Sequence, residues 1–79
     1  MNFKILKGDL GFEYDARDEG GELSVFVTKV TAGSEAEKNG AAVGMKISRL
    51  NGLDLSIFPV EQIVELTHAR PLDVQLLPN

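Results

Sequence analysis

The 79-residue chain has no cysteine and no tryptophan. Lack of cysteine rules out a disulfide framework and a thiolate metal site, and fits a reducing compartment. There is one histidine, His68. On a helix beside Thr67 it forms no credible Ser-His-Asp arrangement, so no enzymatic activity is expected and no cofactor. No apolar run approaches the roughly 20 residues of a membrane span, and the start carries no signal-peptide pattern. Basic charge is also scarce. Eight Lys and Arg stand against twelve Asp and Glu, for a net charge of −4. The cations are scattered, with no stripe and no interleaved aromatics, so neither nucleic acid nor an acidic membrane surface is an expected partner.

What is present suffices for one small core. The length predicts a single domain over residues 1–79, and 43% hydrophobic with 25% charged residues is ordinary for a globular chain. Alternation predicts a strand over Phe3–Lys7, broken by Gly8, and a second over Leu10–Tyr14. The acidic DARDEGGE stretch, residues 15–22, reads as a solvated hairpin loop without the spacing of a calcium-binding loop. VFVTKV, Val25–Val30, is β-branched and aromatic and predicts a third strand. Ser34 then caps a short helix to Asn39, with Glu35 in its first turn and Gly40 just past its end. Lys46–Leu50 is a fourth strand, turned by Asn51-Gly52 into a short fifth over Leu53–Leu55.

A longer helix is predicted from Pro59 to Ala69, stopped by Arg70-Pro71, and Leu72–Leu77 closes the chain as a strand. That helix carries two apolar stripes, Val60, Val64 and Thr67 beside Ile63 and Leu66. A helix buried on one face needs one stripe, so Val60 and Val64 are expected to face something besides the core. Strands interleaved with two helices imply an α+β domain. The expected sheet is small, partly closed and mainly antiparallel, with five to six strands capped by one short and one long helix.

Several segments in this order resemble the PDZ family over nearly the whole chain. Residues 9–12 read Asp-Leu-Gly-Phe where the family has Gly-Leu-Gly-Phe. Val25–Val30, the AGSEAEKNG segment of residues 32–40, and Gly44-Met45-Lys46-Ile47-Ser48-Arg49-Leu50-Asn51-Gly52 follow at family spacing. The long helix follows them. The strand order is similar to that of the animal-type family. The resemblance implies an adaptor module that binds the C-terminal tail of a partner protein and is often part of a larger multidomain protein. It also implies a cytoplasmic location, at the membrane-associated cortex through partners.

By the same resemblance, the tail adds as a strand between the second strand and the long helix. Its carboxylate would rest on the N–H groups of Leu10, Gly11 and Phe12. Glu13, Tyr14, Val60, Val64 and Thr67 would line the groove, with Leu10, Phe12 and Tyr14 around the last side chain. Glycine at position 11 suits such a cradle on its own terms, because it lets successive N–H groups converge on an anion. Val60 stands where a family histidine favours a ligand hydroxyl two residues before the terminus. Valine cannot accept that bond, so an apolar ligand residue is expected there. Tyr14 and Thr67 depart from the usual aliphatics and suggest a shallower pocket, for Val or Ala rather than Phe. Asp9 places a negative charge at the cradle and Lys7 is near enough in sequence to offset it, so both are candidate modulators. The alternative is a degenerate domain whose groove is closed and which serves as a structural or dimerisation unit.

Overall fold

A computed structural model describes residues 1–78. Six strands, β1 (Asn2–Ile5), β2 (Phe12–Glu19), β3 (Glu22–Val30), β4 (Lys46–Leu50), β5 (Leu53–Asp54) and β6 (Leu72–Leu77), accompany helices α1 (Glu35–Lys38) and α2 (Val60–Leu66). They form one antiparallel sheet in the order β1-β6-β4-β3-β2, with β5 paired to β4. The edges are therefore β1 and β2. The sheet is curved enough to bring the Phe3 ring of β1 edge-on to that of Phe12 in β2, with centroids 6.5 Å apart. The expected α+β class holds.

Alternation builds the core. Phe3 and Ile5 of β1, Val25 and Val27 of β3, and Leu72, Val74 and Leu76 of β6 are all buried, while their immediate strand neighbours are more exposed. Leu55, Ile63 and Ala36 close the cluster from the 3-10 turn, α2 and α1.

The bounds of β1, β2, β3, β5 and α2 differ from the sequence reading, β3 starting at Glu22 rather than Val25. β1 ends at Ile5 rather than Lys7, because Ile5 pairs with Leu72, the first residue of β6, and no partner strand continues beyond it. β2 begins at Phe12 rather than Leu10 and runs on to Glu19. The expected loop over residues 15–22 is thus mostly a two-stranded ribbon, in register from Asp15 opposite Phe26 to Glu19 opposite Glu22. Gly20 and Gly21, both at positive φ, make the two-residue turn whose twist matches the strands. The acids of this ribbon stay exposed, so their polarity is no obstacle to pairing, and Arg17 lies over the Phe26 ring at 5.1 Å.

The fifth strand stops at Asp54, and Leu55–Ile57 form a 3-10 turn. The Asp54 carboxylate accepts from the Ser56 backbone N–H (2.9 Å) and hydroxyl (2.8 Å), which holds its pKa below the ordinary value. α2 is shorter than predicted at both ends. Pro59, at ψ 155°, is its N-cap and not a helical residue. Past Leu66 the bonds tighten to the i→i−3 pattern, with His68 N–H on the Glu65 carbonyl and Ala69 N–H on that of Leu66. Side chains take further carbonyls there, Thr67 bonding Val64 O and Arg70 bonding Thr67 O.

Candidate functional site

The loop between β1 and β2 is shaped by two glycines. Gly8 and Gly11 have φ of +88° and +83°, where side-chain-bearing residues are strained. Gly11 is required for a second reason. A Cβ there would lie 2.8 Å from Ser34 Cβ and 3.0 Å from Ser34 Oγ. Its carbonyl accepts from Thr31 N–H (2.9 Å) and the Ser34 hydroxyl (3.1 Å), so it points toward the end of β3 and the start of α1. The Ser34 hydroxyl in turn accepts from Glu37 N–H, so the α1 N-cap also braces the loop.

This orientation has a consequence for the next residue. The Gly11–Phe12 peptide is trans, and in a trans peptide the N–H lies opposite the carbonyl. Phe12 N–H is therefore directed away from β3, to the unpaired side of β2. The N–H groups of Leu10 and Gly11 bond to no described residue. Three consecutive donors of the predicted cradle are thus not consumed by the fold.

The loop faces the C-terminal end of α2 across a recess of about 440 Å³, walled by Gly8, Asp9, Leu10, Thr67, His68 and Arg70. Of the predicted site residues it brings together Asp9, Leu10 and Thr67. The last is 8% exposed, its hydroxyl turned back on the Val64 carbonyl at 2.7 Å. Val64 and Val60 precede it by one and two helical turns on the same side. They are 45% and 42% exposed, whereas Ile63 beside them is fully buried, so the apolar stripe continues from the recess along α2.

Phe12 and Tyr14 do not wall the recess. Phe12 is buried against Phe3, and Tyr14 is partly buried against the core. Glu13 is exposed and pairs loosely across strands with Lys29 at 3.9 Å, a contact worth little at such exposure. Lys7 is not at the recess either. It lines a separate hollow with Ile5, Leu6, Asp9 and Glu35.

His68, expected on the solvent side, is exposed and yet borders the recess. Two participants were not legible from the sequence. Ser34 signals a helix start, but nothing local ties it to Gly11. Arg70 reads only as the residue before a proline; in the fold it bonds the Gly8 carbonyl 62 residues away. Among the described residues no group of His, Asp or Glu side chains could hold a metal ion, and no helix is long and apolar enough to cross a membrane.

Comparison with known proteins identifies the family and the fold. A family model described as PDZ domain matches residues 2–77. PDZ domain-containing protein 7 of Mus musculus is 44% identical over 63 residues, covering 80% of this chain and 6% of that protein. Its Homo sapiens counterpart is 50% identical over 52 residues, 66% of this chain and 5% of that protein. The chain thus spans only a small part of these curated relatives. Among solved structures, the second PDZ domain of Dlg1 from the choanoflagellate Monosiga brevicollis superimposes with a TM-score of 0.83 at 21% identity, covering 100% of this chain and 98% of that one. INAD PDZ3 in complex with a TRP channel tail gives 0.83 at 19% identity, covering 100% of this chain and 86% of that one. The first PDZ domain of dmPar3, in complex with the dmPar6 PBM, gives 0.76 at 23%, covering 100% and 94%.

Proposed function

Given that the chain belongs to the PDZ family of protein-interaction modules, we propose that it binds the C-terminal tail of a partner protein by strand addition at the free edge of β2. The observation that carries this reading is the orientation of the 11–12 peptide. The Gly11 carbonyl is tied back to Thr31 and Ser34, which turns Phe12 N–H to the open edge beside the unbonded N–H groups of Leu10 and Gly11. A terminal carboxylate there gains charge-assisted hydrogen bonds without a basic side chain as donor.

The tail would run antiparallel along β2, with the exposed Val60–Val64 side of α2 over its side chains. An apolar residue two before the terminus meets Val60, and a small apolar terminal residue suits the recess at Leu10 and Thr67. A segment of about four to six residues buries far less than a standard interface, so binding is weak and reversible. The relation of INAD PDZ3 to a channel tail supports this mode.

Titration of fluorescent peptides ending in Val-x-Val, with free and with amidated C-termini, tests it. The free acid binds at least tenfold more tightly. Equal affinity, or none for either, refutes the reading in favour of a closed groove serving a structural or dimerisation role.

A further inference from the structure

The recess beside the cradle contains one permanent cation, and it is not the lysine next to the loop in sequence. Arg70 lies just past α2, half-buried. Its Nε donates to the Gly8 carbonyl at 3.0 Å, and its Nη1 donates to the carbonyls of Thr67 and Ala69, each at 2.7 Å. Three of its five N–H groups are thereby fixed on backbone oxygen, from both the loop and the helix end. The Nη2 amino group has no partner among the described residues, and no described carboxylate lies within ion-pair distance of the guanidinium.

An arginine held at three points by neutral acceptors keeps its full charge and has lost most of its rotamer freedom. That combination favours recognition of an anion nearby, because little further ordering is needed when the anion arrives. The ionisable side chains bordering the recess are those of Arg70, Asp9 and His68. Lys7 lies in the other hollow, which it shares with Asp9 and Glu35, and does not border the recess.

We propose that Arg70 is the positioning residue of the carboxylate cradle: it clasps the loop to the end of α2 through Gly8 and sets an uncompensated guanidinium beside the bound carboxylate. This assignment rests on the tail-binding reading above. It deepens that reading by naming the cation that shares the recess with Asp9.

The test is the ratio of affinities for free-acid and amidated tails in the wild type, Arg70→Gln and Arg70→Lys, at low and at 0.5 M salt. Circular dichroism on each variant reports folding. Arg70→Gln weakens the free acid by about three- to tenfold at low salt, the range for one nearby charge in partly solvated surroundings, and the amide by less than twofold. Arg70→Lys restores charge without the three-point hold and falls between the two. The difference between wild type and Arg70→Gln shrinks in 0.5 M salt.

A purely structural clasp weakens both tails equally and leaves the ratio at its wild-type value, which overturns the proposal. So does Arg70→Lys performing no better than Arg70→Gln. A wild-type ratio near one removes the tail-binding reading itself and this assignment with it, an outcome separable from the other two.

Discussion

Replacing Gly11 with alanine separates backbone strain from steric contact at the cradle, because the chain provides its own control. Gly8 and Gly11 share nearly the same φ, +88° and +83°, but differ in surroundings. A Cβ on Gly8 meets nothing within 4 Å, whereas one on Gly11 meets Ser34 Cβ at 2.8 Å and Oγ at 3.0 Å. Gly8→Ala therefore carries only the left-handed conformational penalty, about 1–2 kcal/mol. Gly11→Ala carries that and an overpacking term of about 1–3 kcal/mol. For a domain of this size the excess is roughly 5–20 °C in Tm.

Urea unfolding of both variants, with Ser34→Gly and the double variant Gly11→Ala/Ser34→Gly, closes a cycle. Ser34→Gly loses the hydroxyl bond to the Gly11 carbonyl and a few tenths of a kcal/mol of capping, about 1 kcal/mol together. It also removes both atoms that the new methyl would strike. The double variant is then more stable than the sum of the single losses by about 1–3 kcal/mol. Additivity, or Gly11→Ala no worse than Gly8→Ala, refutes the claim that the loop is packed against the α1 cap.

Two neighbours on α2 have opposite expected behaviour. Ile63→Ala, at a fully buried position, costs about 2–5 kcal/mol in urea unfolding, whereas Val64→Glu, nearly half exposed, changes stability by less than about 1 kcal/mol and abolishes tail binding. Val60→His shifts a C-terminal peptide library toward Ser or Thr two residues before the terminus, and an unchanged profile would show that this position does not read the ligand. Asp9→Asn tightens a free-acid tail by about threefold at low salt, as expected of about 0.7 kcal/mol for two charges some 6 Å apart in water, and less at high salt. Weaker binding by that variant in fluorescence titration would mean that the Asp9 side chain holds the loop.

What was legible in the sequence follows the range of the interactions. The bounds of β4 and β6 match the sequence reading to the residue: the Asn51-Gly52 turn and the Arg70-Pro71 stop act locally, and β6 alternates buried and more exposed residues. The α1 cap was legible for the same reason. The Asp15–Glu22 segment was misread because a ribbon paired only to its neighbour needs no apolar face, and its one local signal was the Gly20-Gly21 turn. α2 was drawn too long because the carbonyls that end it are taken by Thr67 and Arg70 side chains, which no propensity records. Within the site, the exposed Val60–Val64 stripe could be read from periodicity. Burial of Phe12 against Phe3 could not, since it depends on the sheet curvature that brings those two rings together.

The same distinction explains how an aspartate can stand at position 9, where the family it belongs to has glycine. A glycine is obligatory only where φ is positive or where a Cβ has no room. Asn51 is the one non-glycine residue of positive φ among those described, so Asp9 has an ordinary backbone. The left-handed steps fall on Gly8 and Gly11 on either side of it. The two ties that shape the loop also avoid its side chain, for they run from Arg70 to the Gly8 carbonyl and from Ser34 to the Gly11 carbonyl. Position 9 thus needs no glycine, which leaves its carboxylate free to act through charge as the Asp9→Asn prediction requires. The cradle's geometry is set by residues 23 and 62 positions away from the carbonyls they hold. On the proposal above, its affinity for a carboxylate follows the balance between Asp9 and Arg70.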